Sequence, residues 1–387
     1  MTSARASGPL VGLRVIELAG LGPAPFAAMM LSDMGAEVVR IDRHTQVFTG
    51  DNATPPWDLL DRGRRRIGVD LKHPRGGDVV RRLAAEADVL IEGFRPGVME
   101  RLGLGPEVCC AQNPRLVYGR MTGFGQSGPL AHAAGHDIDY IALSGALEPL
   151  GRAGEKPVPP LNLVADFGGG GMLLVTGVLA ALFERGVSGR GQVVDAAMVD
   201  GSALLTTMLH ALRLGGLWSG ERGENLLDTG APFYDVYETA DHKFVALGAL
   251  EPAFYRELLV RLNLSSDPRF AVQMDKRSWP AMRSALSDVF RQQTRAAWQT
   301  LFEGSDACVA PVLSPWEAHE HPHNRARETF VSPGGVLQPA PAPRFSRTTS
   351  SLQGPPAHAG AHTDEVLRAA GFDDDERESL RAAGAIA

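Results

Sequence analysis

The feature that most constrains this chain is a strand–turn–helix alternation that recurs through its N-terminal half. Residues 13–18 (LRVIEL) form a short apolar run of strand length, a Gly/Pro turn follows, and residues 24–33 carry a helical pattern. Residues 37–42 (EVVRID) then form a second strand, which completes a βαβ unit. The alternation continues with a helix at 76–87, a strand at 89–92, a short helix at 106–112 and a strand at 116–121. An apolar helix at 168–184, a strand at 192–198 and a helix at 201–214 extend it. Such alternation predicts an α/β fold with a parallel, doubly wound sheet. Ligands of such sheets bind outside the carboxyl ends of the strands.

The texture changes beyond this half. Residues 232–247 hold two aromatic and β-branched runs around Ala240-Asp241-His242, a hairpin signal, and amphipathic helices follow at 252–262, 280–291 and 294–302. With 387 residues the chain exceeds one ordinary core of about 100–200 residues, so two domains are expected. Residues 1–205 are assigned to a large domain, 206–227 to a linker and 228–325 to a smaller α+β domain. Residues 332–356 are rich in Pro, Gly and Ser, which predicts an extended connection. Two capped helices at 363–370 and 374–383 suggest that residues 326–387 return to the large domain.

Charge and cysteine usage exclude several classes. The net charge is −7, whereas a nucleic-acid binder carries a basic domain, so no nucleic-acid partner is expected. Cys109, Cys110 and Cys308 make an odd count with an adjacent pair and no C-x-x-C spacing. That argues against disulfides and a cysteine-based metal site, and for a reducing cytoplasmic setting. No run of 18 uncharged apolar residues occurs and no secretory h-region follows Met1, so neither a spanning helix nor membrane partnership is expected.

Several local constellations suggest chemistry. Gly123-Phe124-Gly125-Gln126-Ser127-Gly128 fits G-x-G-x-x-G, but Pro129 follows and no helix opens there. The phosphate-on-helix mechanism is therefore missing, and structural turns are the better account than a nicotinamide site. Arg62, Arg64, Arg65 and Arg66 form a run that by itself reads as a solvated basic loop. Arg40 ends a strand, Arg95 follows one and Arg101 lies shortly after; arginines at such places suit a phosphorylated ligand. His136 sits in the polar cluster Gly135-His136-Asp137-Ile138-Asp139-Tyr140 beside carboxylates that could tune it. Asp166 precedes Phe167 and the glycines Gly168–Gly171. Alone it reads as a helix cap, but four glycines exceed what a cap needs and would let backbone N–H groups approach an oxyanion. Glu251 precedes Pro252 at a helix start, where an acid also suits the helix dipole.

Taken together, the segments GLRVIELAGLGP, MGAEVVRIDR, ADVLIEGFRPGVMERLGLGP, MTGFGQSGP, AGHDIDY, PPLNLVADFGGG, GQVVDAAMVDG, GAPFYDVYET, GALEPAFY and HTDEVL resemble the family III CoA transferase superfamily. Within it they resemble the α-methylacyl-CoA racemase branch, from residue 12 to residue 367. The resemblance implies a Rossmann-like large domain with a parallel sheet, a smaller α+β domain and an interlocked homodimer. It implies an acyl-CoA substrate whose CoA moiety is no separate cofactor; no metal is expected, because no metal-ligand spacing is visible and a thioester already acidifies its α-carbon. CoA would contact Arg40, Val69, Asp70, Leu71, Lys72, Gly93, Phe94, Arg95, Arg101, Gly135, Asp137, Ile138, Asp139 and Tyr140. His136 and Asp166 match the two proton-transfer residues of racemases, and Glu251 matches a carboxylate that reaches His136 from the partner subunit.

These matches imply inversion at the α-carbon of a thioester, with one group removing the proton and the other returning one through an enolate. Backbone N–H groups near Asp166 and Gly168 are the expected holders of the enolate oxygen. A CoA transferase would instead use Asp166 as nucleophile, and its pattern typically carries Tyr in place of His136 and lacks the E-P-x-F-Y segment. A silent CoA-binding protein and a nicotinamide dehydrogenase are the remaining alternatives. Two departures from the racemase pattern stand out: Asp139 replaces an Asn, and Ala165 replaces a Gly before the aspartate. Both bear on acyl specificity and neither removes a catalytic group.

Overall fold

The computed structural model describes residues 7–47, 57–218 and 220–387. The chain divides into two compact units. The first comprises Met1–Ser144, Leu161–Leu205 and Glu328–Ala387; the second comprises Gly145–Pro160 and Thr206–Arg327.

The first unit is built on a six-stranded sheet in the order β3-β2-β1-β4-β5-β6. Its strands are β1 (Arg14–Leu18), β2 (Glu37–Arg43), β3 (Arg64–Val69), β4 (Val89–Glu92), β5 (Val117–Thr122) and β6 (Val193–Ala197). All neighbours pair in parallel. The chain leaves β1 for β2 on one side and later returns to β1 with β4 on the other. The carboxyl ends of β1 and β4 therefore flank the switch point of a doubly wound sheet. Strands buried on both faces lose the polar alternation of a surface strand, which is why β1 and β2 read as near-continuous apolar runs. Helix α1 (Pro23–Asp33) covers this sheet with Ala24, Ala27, Ala28 and Leu31, and Pro at its start suits a position whose N–H needs no partner.

Strand β3 departs from expectation, because the arginine run is not a solvated loop. Arg62 and Arg64 are buried, and each meets an acid from a distant element. Arg62 pairs with Asp33, Arg64 donates to Glu17 Oε2 at 3.1 Å, and Arg66 pairs with Asp42 and Asp61. Arg40 is 7 % exposed and joins the same network through Glu17 Oε1 at 2.5 Å and Asp42 at 3.1 Å. The local pattern shows only the basic half of these pairs.

The chain's last residues belong to this unit's core. Val366, Leu367, Phe372, Leu380, Ala385 and Ile386 pack with Ile16, Val39, Ile67 and Val79. The backbone docks beside β3, with Asp70 N–H donating to Ala385 O at 2.9 Å and Ala387 N–H to Gly68 O at 3.0 Å.

The apolar helix proves longer than its pattern and starts differently. Leu163–Met172 is π-helical and runs into α-helix Leu173–Ser188. The glycine run serves close helix packing. A Cβ on Gly169 would lie 2.7 Å from Ser202 N, and one on Gly171 would lie 2.6 Å from the Phe26 ring. Gly201, in helix Met198–Leu205, touches Gly169 backbone to backbone. Leu163–Ser188 spans 26 residues with a hydropathy of 1.7 in its most apolar window, enough by length and composition to cross a membrane. Within the described residues one side of it packs against α1, β5, β6 and the helix that contains Gly201.

In the second unit, strands Tyr234–Glu238 and Phe244–Gly248 form the expected hairpin, with His242 at φ 55° in its turn. Val309–Pro311 adds a third antiparallel strand that is too short to show a period. Phe233, Tyr237, Tyr255, Trp279, Phe290 and Trp298 dominate its core. Residues 206–227 are not a free linker. They include helix Thr207–Leu214 and a loop in which the Asp228 carboxylate accepts from Asn225 N–H at 2.7 Å and Gly223 N–H at 2.8 Å. Residues 145–160 join this unit through Arg152 to Asp235 and Arg222 to Glu148.

Candidate active site

A cleft of about 500 Å³ opens in the first unit at the switch point of the sheet. The turn after β1 supplies Ala19–Ala24, the turn after β4 supplies Gly93–Pro96, and the turn after β5 supplies Thr122–Phe124. Arg43 from the end of β2 and Met198 after β6 complete that rim. Gly135 and His136 come from the segment that leads into helix Asp137–Ser144, Tyr140 from that helix and Asp166 from the helical segment Leu163–Met172, and all four lie on the cleft wall.

The His136 loop is fixed by its own backbone. His136 precedes helix Asp137–Ser144, and its carbonyl accepts from Asp139 N–H at 2.8 Å. Asp139 reaches back with Oδ2 to accept from His136 N–H at 2.9 Å, the return half of a capping box. The departure at residue 139 thus acts on His136 through its backbone. Tyr140 donates its hydroxyl to Gly135 O. Burial, then the charges of Asp166 and Asp139, push its phenol up to about 12, which keeps it a donor. Its ring fills the space a side chain at residue 123 would need: a Cβ there would lie 2.2 Å from Tyr140 Cε1.

Asp166 sits in the first turn of the π-helical segment. Asn162 donates an amide N–H to its Oδ2 at 3.2 Å, and a Cβ on Gly22 would stand 3.3 Å from the same oxygen. Burial raises the Asp166 carboxyl above its ordinary value, and the Asp137 charge adds to the rise. The Asn162 bond and the His136 charge oppose it, so the two candidate acid/base groups lie within electrostatic reach of each other. A carboxyl shifted toward neutrality is suited to exchanging protons in both directions.

The Asp166 N–H, expected to face an enolate, is occupied: it donates to Asp137 Oδ2 at 2.8 Å. The first-turn N–H groups of Asp137 and Ile138 have no intrahelical partner and offer positive charge directly beside His136.

The residues expected to hold CoA divide into four groups. Gly93, Phe94, Arg95, Gly135 and Tyr140 line the catalytic cleft. Leu71, Lys72 and Arg101 line a second depression of about 330 Å³ with His73, Asp78 and Arg81; Asp78 pairs with Arg81, and Lys72 and Arg101 are the basic groups suited to phosphate. Arg40, Val69 and Asp137 are buried, and the Arg40 guanidinium is engaged by Glu17, Asp42, Asp61 and Gly20 O. The arginine that β2 does present to the cleft is Arg43, which sequence reasoning passed over for Arg40. Strand alternation was the available signal: Arg40 and Arg43 are an odd number of residues apart and point to opposite faces. Asp70 accepts from Lys72 N–H at 3.0 Å within its turn, while Ile138 and Asp139 are exposed. Glu251 lies in the second unit as the exposed N-cap residue of helix Pro252–Arg261, and its side chain makes no capping bond. Among the described residues no group of three or more His, Cys, Asp or Glu is placed to hold a metal ion.

A doubly wound α/β unit with an acid/base cleft at its switch point is thereby defined. Residues 10–363 match the family described as CoA-transferase family III. The chain is 51% identical over 370 residues to the alpha-methylacyl-CoA racemase of Mus musculus, covering 95% of this chain and 94% of that one. It is 48% identical over the same length and shares to the Homo sapiens racemase. To the acetyl-CoA:oxalate CoA-transferase of Acetobacter aceti it is 32% identical over 354 residues, covering 87% of this chain and 89% of that one. The crystal structure of a CAIB/BAIF family protein from Brucella suis superposes with a TM-score of 0.79 at 26% identity, covering 94% of this chain and all of that one. The chain belongs to CoA-transferase family III.

Proposed function

We propose that this chain interconverts (2R)- and (2S)-2-methylacyl-CoA thioesters by moving the proton on the α-carbon. The observation that carries the reading is that His136 and Asp166, from two separate segments of the chain, both line one cleft. The identity of about half the chain to two proteins named as racemases supports it.

In the reaction, one group takes the α-proton and leaves the electron pair delocalised onto the thioester oxygen. The other returns a proton to the opposite face. His136 serves one enantiomer and Asp166 the other, and in the reverse direction they exchange roles. The N–H groups at the start of helix Asp137–Ser144, which have no partner within the helix, are the donors we assign to the enolate oxygen. Arg43 and Arg95 supply charge to the cleft, and Lys72 and Arg101 supply it in the second depression. Both suit the phosphates of CoA, and no further cofactor is required by this chemistry.

The decisive experiment incubates one enantiomer of a 2-methylacyl-CoA with the protein in D2O. Deuterium enters the α-carbon as the optical purity falls, with no second carboxylic acid present. Strict dependence on an added acid acceptor, with no exchange, would transfer the reading to CoA transfer through Asp166.

The working form is a homodimer in which the partner's copy of Glu251 orients His136. Its support is exposed apolar surface of a kind that marks interaction sites. Phe183 and Val187 are 81% and 82% exposed in the first unit, and Leu214 is 91% exposed in the second. In this reading a partner chain covers helix Leu173–Ser188. Sedimentation should give the mass of two 41.3 kDa chains; a monomer at micromolar concentration with full activity would reject the shared site. A reducing cytoplasmic location fits the three free cysteines.

A further inference from the structure

The side chain that ties the two acid/base loops together is neither of the reacting groups. Asp137 directly follows His136 in the chain and is only 5% exposed. Its Oδ2 accepts two backbone hydrogen bonds, from Ala165 N–H at 2.7 Å and from Asp166 N–H at 2.8 Å. Its Oδ1 is buried with no hydrogen-bond partner among the described residues.

A first-turn acid normally favours a helix from the surface, where its charge is solvated. A buried carboxylate with one unsatisfied oxygen costs free energy. Helix capping does not account for that cost, because Asp139 already makes the cap bond to His136. The arrangement does have a geometric product. The peptide that bears Asp166 is clamped to the residue next to His136, across 28 and 29 positions of sequence.

We propose that Asp137 is a positioning residue whose buried carboxylate, by holding the Ala165 and Asp166 N–H groups, sets the spacing of His136 and Asp166. Its charge also acts on the Asp166 carboxyl, after burial the second influence that raises it. The proposal rests on His136 and Asp166 being the proton-transfer pair. Proton transfer depends steeply on placement, and an error of about 1 Å costs on the order of 100-fold in rate. The groups that act on Asp166 are limited. Burial and Asp137 raise its pKa, while the Asn162 amide and His136 lower it. Tyr140 is coupled to it from the adjacent helix, and Arg43 and Arg95 face the same cleft.

The sign of the charge effect follows. Removing the Asp137 charge removes one of the two influences that raise Asp166. Its pKa then falls, and the rate limb that it governs moves to lower pH. Asp137→Asn keeps an oxygen that can accept both N–H bonds and removes only the charge, whereas Asp137→Ala removes the clamp as well.

The test measures α-deuterium exchange and racemisation of a 2-methylacyl-CoA against pH, with kcat and KM separated. For Asp137→Ala, kcat should fall by about 100-fold in both directions with little change in KM. For Asp137→Asn, the fall should be smaller, and the limb assigned to Asp166 should shift to lower pH. A folded Asp137→Ala enzyme with wild-type kcat would overturn the clamp, and a wild-type pH profile in Asp137→Asn would overturn the charge bias. If Asp137→Ala does not fold, Asp137→Glu takes its place: it keeps the charge but displaces the carboxylate from the two N–H groups, so kcat should fall, and a wild-type kcat would overturn the clamp. Wild-type exchange in the same assay separates the two levels: when it is present and the variants are unaltered, only the role of Asp137 fails; when it is absent, the proton-transfer pair fails with it.

Discussion

His136→Ala should abolish racemisation in both directions yet leave one enantiomer able to exchange its α-proton with solvent. Inversion needs a group on each face of the enolate, so either single loss blocks it. With His136 gone, Asp166 can still remove the proton of the enantiomer that presents it to that side. It can then return a deuteron to the same face, giving exchange with retention. Asp166→Ala should show the mirror behaviour, with exchange confined to the other enantiomer. The loss of racemisation should be on the order of 10²–10⁴-fold for each variant, the usual contribution of a placed acid or base. Chiral analysis of recovered thioester, with deuterium content by mass spectrometry, reads both outcomes together. The same pair of variants separates the racemase from a transferase that uses Asp166 as nucleophile. That chemistry loses everything with Asp166→Ala but keeps turnover with His136→Ala. Wild-type racemisation in either variant would remove that residue from the mechanism.

How much of this was legible beforehand depended on whether the signal was local. Strands β1, β2, β4 and β5 announce themselves because burial on both faces makes them short apolar runs between turns. Strand β3 does not, since three of its six residues are arginines and their counter-charges lie on β1, β2 and the loop at Asp61. His136 and Asp166 were visible as residues, and the glycines after Asp166 were visible as unusual. The role of those glycines was not. Their neighbours are Pro23, Phe26, Met198, Gly201 and Ser202, and no window of sequence contains both sides of that packing. The contacts of the Asp137 side chain were hidden for the same reason. An acid beside a candidate catalytic His reads as a ligand or a tuning charge, and only the fold shows that its oxygen meets two N–H groups 28 and 29 residues away.

Glu17→Gln should be the most damaging single change to stability in the first unit, and it tests whether the arginine network holds the cleft as well as the sheet. Glu17 is fully buried in β1 and divides its two oxygens between Arg40 and Arg64. Counting Asp42 and Asp61 with it, three carboxylates face the three guanidinium groups of Arg40, Arg64 and Arg66. Burial works against the charge on Arg40, yet Glu17, Asp61 and Asp42 more than offset it and hold its pKa above the ordinary value. A glutamine keeps the shape but leaves one buried positive charge without a counter-charge, and turns one acceptor into a donor aimed at an arginine. Breaking a buried pair in this way costs about 3–5 kcal/mol. In a unit of this size that corresponds to a fall on the order of 10 °C in the unfolding midpoint. The damage should reach the cleft, because the same arginines brace its floor. Arg64 donates to Pro25 O and Arg40 to Gly20 O, and these residues bracket Gly22 beside Asp166. Thermal unfolding gives the stability term, and kcat measured well below the lowered midpoint gives the positioning term. Glu17→Asp, which keeps the charge on a shorter side chain, should fall between the two. A Glu17→Gln protein within about 0.5 kcal/mol of wild type would place it with ordinary surface substitutions and show that the network does not act as a buried charge cluster.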